Sequence, residues 1–594
     1  MINDILGFFS GAALSAVMLF ALLNRLALLQ ERDYLMVRML SSRGSLIPRQ
    51  FELPLIPAAV FLISSQFTPE SIASVLILLA ILCTIPALVI QLKAIVSRRF
   101  KKPRLTFRIM INAALIFELW VGMLVLLLII QVNPEAAFGI SCIVFTLLAT
   151  FLVILSNGLT RRFIFIGHRL QMRKASAQIA AIKDLNVIGI TGSYGKSTTK
   201  LFLNTLLARR FKVISTPGSI NTDIGLAKSI NGQLARMDKD GVAAISQAVL
   251  EMDAYVVETL PRVTRFFPLD IAILTSVNEQ HLETFGGDIR NSIKANYNIF
   301  GGLKPEGKKL AIINADDENC RKIIAMLGEE KPEVEIYTYG NSTGPGSASN
   351  SAQEVDALVG EVRSEHKPDS VGITFELKLS KRLGGEKLVI SLPVPGKFNA
   401  QNYAAASLAA ILSGLPVSEI GLAAEEVTLR ERNLQLRRVE VGGNTAMANS
   451  NSAIGSSNAP TDHSIEIIDD SFSANPAGLW ANLQLLSERN EALPAKSIFI
   501  TPGLEDLAGE SVRIHTEIAA KATQLADYVI VTTSHGRDIQ LPQQPANLYL
   551  FEDPVQVTAK LEEILNNHTQ ENVRIFISGR VAAAIYKFIN TYGI

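Results

Sequence analysis

The stretch Asn186–Thr199, NVIGITGSYGKSTT, decides the fold of most of the chain. NVIGIT is a short β-branched run of the kind that makes a buried strand, and Lys196–Arg209 carries the apolar spacing of a helix. Between them lies GSYGKSTT, Gly192–Thr199. Glycines let backbone N–H groups turn inward around phosphate there, and the helix N-terminus adds the positive end of its dipole. Gly192, Ser193, Tyr194, Gly195, Lys196, Ser197 and Thr198 are therefore the expected cradle for ATP. Lys196 would reach the terminal phosphates, and Ser197 would offer its hydroxyl to Mg²⁺. The loop is shorter than the usual P-loop, because Ile190 stands where that loop has its first glycine.

Downstream of about Asp184, short β-branched runs alternate with amphipathic helices, which predicts parallel α/β layers. Upstream the composition changes. The chain has 594 residues, 48% of them hydrophobic, and the excess sits in the first 160 or so. Five apolar stretches read as membrane spans: Ile5–Leu23, Leu53–Ile63, Ile72–Leu92, Met110–Ile130 and Phe138–Leu155. Arg25, Arg32, Arg38, Arg43 and Arg49 separate the first two. Arg98, Arg99, Lys101, Lys102, Arg104 and Arg108 separate the third and fourth, and Arg161, Arg162, Arg169, Arg173 and Lys174 follow the fifth. The loops at Gln66–Glu70 and Val132–Glu135 carry no Lys or Arg. Positive charge marks the cytoplasmic side, so this alternation predicts an external N-terminus and cytoplasmic α/β domains. Glu118, inside the fourth stretch, is either a functional acid or a polar contact between packed helices. A net charge of +1 gives no global attraction for nucleic acid, and Cys83, Cys142 and Cys320 form no metal or disulfide pattern.

The shortened loop is similar to that of the Mur ligases, and the resemblance runs in order over about 184–590. STPGSINTDIGLAKSI (Ser215–Ile230), VLEMDA (Val249–Ala254), ILTSVNEQHLETFGG (Ile273–Gly287) and AIINADDEN (Ala311–Asn319) each resemble a motif of the family's central domain, as does the strand IYTYG (Ile336–Gly340). VPGKFNAQNYAAASLA (Val394–Ala409) resembles GxHNxxNxxAAxA. IIDDSFSANPAGL (Ile467–Leu479) and TPGLEDLAGESVRIH (Thr501–His515) resemble segments particular to the type that adds D-alanyl-D-alanine. The resemblance implies a central ATPase domain over 184–435 and a Rossmann-like α/β domain over 436–594. A five-helix membrane domain (1–160) and a basic linker (161–183) take the place of the family's UDP-binding domain. It implies Glu251 and His281 as metal ligands beside Ser197, Asn314 at the nucleotide, Asn221 and Asn475 at the substrate, and Arg438 and Asp470 as catalytic groups of the C-terminal domain. The implied partners are a muramyl-peptide or other carboxylate acceptor, D-alanyl-D-alanine or another amine donor, the bilayer of a bacterial plasma membrane, and other cell-wall synthesis proteins.

These residues suit amide formation driven by ATP. A carboxylate and a γ-phosphate repel each other, and Lys196 together with Mg²⁺ on Ser197 and Glu251 would bring them together; no nucleophilic triad is needed. Departures accompany the matches. Asn296 stands where the family has a carbamylated lysine holding a second metal, with Lys294 two positions away on the other face of a helix. Ser276 replaces an asparagine, Phe398 a histidine, and Phe472–Ser473 a Tyr-Asn pair. Two other readings follow: a ligase extending another polymer, as in poly-γ-glutamate synthase, or a nucleotide-binding scaffold for cell-wall proteins. The polar stretches Gly340–Gln353 and Ala446–Asp462 read as loops, the second interrupting a hairpin before Asp470.

Overall fold

The computed structural model describes residue 26 and residues 106–130, 134–278, 282–342, 355–368, 370–428, 434–441, 463–471, 476–504, 507–532 and 534–590. The chain divides into two compact units, Met1–Leu170 and Gln171–Ile594. The stretches Ile5–Leu23, Leu53–Ile63 and Ile72–Leu92, and both polar stretches over most of their length, lie outside the described residues.

In the first unit, helix α1 (Phe107–Ile129) begins at Thr106, whose Oγ1 accepts a hydrogen bond from the Ile109 N–H at 3.3 Å. Its segment Ile109–Ile129 has 21 residues and a mean hydropathy of 2.2, long and apolar enough to cross a membrane. Helix α2 (Pro134–Ala180) contains the fifth apolar stretch and continues through the basic residues that follow it. One polar contact between α1 and α2 is Thr160 Oγ1 donating to Asn112 Oδ1 at 2.8 Å, whereas Glu118 is exposed.

The second unit holds two sheets. The larger contains β1 (Asn186–Thr191), β2 (Lys212–Ser215), β3 (Ile245–Glu251), β4 (Ile271–Leu274), β5 (Leu310–Asn314), β6 (Glu335–Asn341), β7 (Ala357–Val359), β8 (Arg363–Lys367), β9 (Ser370–Leu379) and β10 (Lys387–Leu392). Its order is β10-β9-β7-β6-β5-β4-β1-β3-β2, with β8 paired to β9. Strands β1 to β7 pair in parallel, and β8, β9 and β10 add antiparallel partners at one end. Both faces are covered, so β1 reads as a continuous apolar run: Val187 enters one core cluster, and Ile188 and Ile190 enter the other.

The helices that matter for the site are α3 (Lys196–Ala208), α4 (Asp223–Leu234), α5 (Ile289–Tyr297) and α6 (Phe398–Leu412). Helix α6 packs along α3, with the Phe202 and Tyr403 rings 5.6 Å apart. The smaller sheet has the order β11-β12-β16-β13-β14-β15, from β11 (Gln435–Val441), β12 (His463–Asp470), β13 (Lys496–Thr501), β14 (Tyr528–Val531), β15 (Leu548–Leu550) and β16 (Val573–Ser578). Only the β11–β12 pair is antiparallel; it forms the expected hairpin in register Gln435↔Asp469 to Val441↔His463. Helices α7 (Pro476–Ala492) and α8 (Ser511–Leu525) belong to this layer.

Candidate active site

The phosphate loop leaves β1 at its C-terminal edge and turns straight into α3. Gly192 and Gly195 take φ values of 135° and 85°, which L side chains rarely adopt. Space enforces the same choice: a Cβ on Gly192 would lie 2.2 Å from Thr275 Oγ1, and one on Gly195 would lie 2.3 Å from Asn402 Oδ1. The loop is pinned from β4. Ser193 N–H donates to the Ser276 carbonyl at 2.8 Å, and Tyr194 N–H donates to Ser276 Oγ at 2.9 Å. Gly195 is the N-cap of α3 and brings no side-chain cap, so the first N–H groups of the helix suit an external anion. Lys196 is buried; its Nζ donates to the Gly192 carbonyl and lies 3.5 Å from Asp253 Oδ1.

Oxygen and nitrogen groups converge beside it. Ser197 Oγ donates to Glu251 at 2.9 Å (Oε1) and 3.0 Å (Oε2), and lies 2.6 Å from Ser219 Oγ. Lys200, one turn further along α3, donates to Glu251 Oε2 at 2.8 Å. Asn221 Nδ2 approaches Glu251 Oε1 at 3.5 Å and Asp253 Oδ2 at 3.3 Å. Glu251 ends β3 next to β1, which places its carboxylate beside the loop. The hydroxyl and carboxylate are hard oxygen donors that fit Mg²⁺. The C-terminal layer reaches the same loop through aromatic contact: the Tyr194 and Phe398 rings meet edge-on at 5.3 Å, and Phe398 packs on that layer's core. Burial pushes the Tyr194 hydroxyl well above its ordinary range, and the charge of Asp470 adds to the push.

Residues 190–410 match the Mur ligase middle domain. Over those residues the chain is similar to the Mur ligase family. The UDP-N-acetylmuramoyl-tripeptide–D-alanyl-D-alanine ligase of Bacillus subtilis is 27% identical over 322 residues, 54% of this chain and 56% of that protein. The chain thus spans little more than half the length of that relative. In fold, MurF from Acinetobacter baumannii is similar with a TM-score of 0.56 at 19% identity, over 71% of this chain and 80% of that one. MurF from Thermotoga maritima in complex with ADP gives 0.52 at 19% identity, over 71% and 82%.

Against the Mur ligase middle domain, two departures have a structural reason. Ser276 anchors the phosphate loop by its hydroxyl and its carbonyl, and Phe398 is the ring that Tyr194 packs on. Asn296 is a third case. It is buried on α5, donates to the Ser292 carbonyl at 2.9 Å and accepts from Thr191 Oγ1 at 3.3 Å. A neutral amide so engaged does not fit an anionic ligand for a second cation. Lys294 is exposed on the opposite face of α5. His281 and Asn475 lie outside the described residues. Asn314 supports the loop at one remove: its Nδ2 donates to the Thr275 carbonyl at 3.0 Å, and its Oδ1 accepts from Asp316 N–H at 2.9 Å. Sequence reasoning missed Lys200, Asp253 and Ser219. The i+4 spacing from Lys196, and a second acid two residues after Glu251, were the available signals.

On the C-terminal side, Arg438 stands opposite Glu466 in the β11–β12 register, four residues from Asp470 along β12 and so roughly 13 Å from it. Asp470 ends β12, where Asn482 Nδ2 donates to its Oδ2 at 2.7 Å. Burial pushes its carboxyl up to about 6, against hydrogen bonds from Asn482 and the Leu434 backbone that favour the anion. A carboxyl raised in the folded state stabilises the fold most at low pH, and that contribution is lost as pH rises from about 4 to about 6. Asp470→Asn should therefore gain stability relative to wild type across that window and hold a constant difference above it, with a ceiling of about 3 kcal/mol. Denaturation followed from pH 4 to 7 checks this; a difference that shrinks with rising pH contradicts it.

His515, His535 and Asp538 place ligand atoms within 4.8 Å of one another. Both His515 nitrogens are engaged, however: Nε2 accepts from Leu504 N–H at 2.9 Å, and Nδ1 donates to the Ser511 carbonyl at 2.8 Å. The Ser-x-x-x-His spacing thus pins the loop after β13 to the first turn of α8.

Proposed function

We propose that the chain is an ATP-dependent, ADP-forming amide ligase, anchored in a membrane, that extends the peptide of a peptidoglycan precursor by D-alanyl-D-alanine. The observation that carries this reading is the cluster of Lys196, Ser197 and Glu251 at the start of α3. The B. subtilis relative's name supports the substrates, and the ADP-bound T. maritima protein supports the nucleotide.

In this reading the acceptor carboxylate attacks the γ-phosphorus, the bond to the β-phosphate oxygen breaks, and ADP leaves. The donor amine then attacks the acyl carbon, phosphate departs with the former carboxylate oxygen, and the amine loses a proton. Lys196 offsets the repulsion between the two anions, and the loop N–H groups with the end of α3 fix the phosphates. Ser197 and Glu251 would hold one Mg²⁺, which when bound supplies charge neutralisation on the phosphates. Asn221 and Asn475 would meet substrate, Asp470 would face nucleotide or substrate, and Arg438 would meet ATP as the C-terminal layer closes.

Purified full-length protein should release phosphate only when a muramyl-tripeptide acceptor and D-alanyl-D-alanine are both present. Release with polyglutamate and glutamate instead favours the polymer-extending reading. No release with any acceptor, free or lipid-linked, favours the scaffold.

The membrane anchoring rests on α1 and on the alternating basic loops. In a background without Cys83, Cys142 and Cys320, a Thr68→Cys variant should label from outside intact cells and a Lys101→Cys variant should not. The reverse pattern refutes the topology.

A further inference from the structure

Lys200 lies in the middle of the proposed cation site, and no motif argument assigns it a task. It is fully buried, and its ammonium donates to three acceptors: Glu251 Oε2 at 2.8 Å, the Gly218 carbonyl at 2.6 Å and Thr216 Oγ1 at 3.3 Å. These three acceptors alone are enough for the three N–H bonds of an ammonium. They lie on two supports, the end of β3 and the segment that follows β2. Glu251 ends β3, Thr216 directly follows β2, and Gly218 begins the turn that carries Ser219 and Asn221 to the site.

We propose that Lys200 is the positioning residue of the cation site. It holds Oε2 of Glu251, so that Oε1, which takes the Ser197 hydroxyl at 2.9 Å, is the oxygen that would face the divalent ion, and it ties the 216–221 segment to α3 so that Ser219 and Asn221 stay in place. This rests on the nucleotide reading above. A buried charge pair is costly in desolvation and contributes little net stability, so a fully bonded lysine here is better explained by geometry than by stabilisation. Arginine would not substitute: its planar fork cannot direct three donors from one atom to the Glu251 carboxylate, the Thr216 hydroxyl and the Gly218 carbonyl.

The test uses the full-length protein, Mn²⁺ as the probe ion and ADP as the nucleotide. Mn²⁺ binding is read by electron paramagnetic resonance and metal-free ADP binding by calorimetry. Lys200→Met and Lys200→Arg should each weaken Mn²⁺ binding at saturating ADP by at least about tenfold while metal-free ADP affinity stays within about twofold. Thr216→Val, which removes one acceptor and no charge, should weaken Mn²⁺ binding by about threefold and decides the matter if both Lys200 variants fail to fold. A merely structural lysine would lower the melting temperature and leave Mn²⁺ affinity of the folded protein unchanged; that result overturns the proposal. Wild-type affinity in Lys200→Arg also overturns it, because charge alone would then suffice. Failure of the wild-type protein to bind ADP in any condition overturns the nucleotide reading itself, and this proposal with it.

Discussion

Lys196→Ala is expected to lower ATP turnover by about 10²–10³-fold while the protein stays folded. The size follows from where the charge sits. Lys196 occupies the first position of α3, is buried, and is held by the Gly192 carbonyl and Asp253, so its ammonium is fixed before any substrate arrives. A pre-placed cation needs no reorganisation as negative charge moves from the γ-phosphate toward the leaving oxygen. Alanine removes that charge and the bond to the Gly192 carbonyl, and leaves the loop geometry to the positive φ of Gly192 and Gly195 and to the anchors from Ser276. Phosphate release and a thermal melt on the same preparation separate the two effects. Turnover within a few-fold of wild type would exclude this loop as the catalytic site.

Much of this arrangement was legible because the chemistry is local. Strand, glycine loop and helix are contiguous from Asn186 to Ala208, and each preference points the same way. Glu251 could be placed because β3 ends in an acid immediately beside β1. Long-range partners were not legible. Asn402 contacts Gly195 across more than two hundred residues, and Lys200 meets Gly218 only because β2 lies on the far side of β3. The antiparallel strands β8, β9 and β10 were missed for a related reason. They sit at the edge of a sheet whose other strands are parallel, and only tertiary pairing distinguishes them from an independent hairpin. Ser276 and Phe398 read as departures from a family pattern; in the fold both contact the phosphate loop at Tyr194. The register also sets Arg438 opposite Glu466 on the β11–β12 pair, a neighbour that only tertiary pairing reveals.

Glu466 carries the second large expectation: Glu466→Ala should destabilise the C-terminal layer by about 3–5 kcal/mol. Its carboxylate lies between two buried guanidiniums, accepting from Arg489 Nε at 2.9 Å and also from Arg574 Nε. Burial opposes its ionisation, but the Arg489 hydrogen bonds and the Arg574 charge outweigh it and hold the carboxyl below its ordinary range. Without the carboxylate, two cations would be left in the interior with no counter-ion, which costs far more than the intact cluster contributes. Replacing the whole cluster with apolar residues, as in Glu466→Leu with Arg489→Met and Arg574→Leu, should recover most of the loss. The cluster also reaches the layer of the larger sheet. Arg489 donates to the carbonyls of Lys367 and Pro368 at 3.2 and 3.3 Å, and the adjacent Glu488 binds Lys397 and Ser364, each at 2.8 Å. Glu466→Ala should therefore lower turnover as well as stability, and the triple variant should restore stability more than turnover, since methionine cannot bond the two carbonyls. Trp480 on α7 reports the transition once Trp120, the other tryptophan, is replaced by phenylalanine. A Glu466→Ala midpoint equal to that of wild type would mean that the two arginines find other partners, and the cluster would lose its place in the account of how this layer is held.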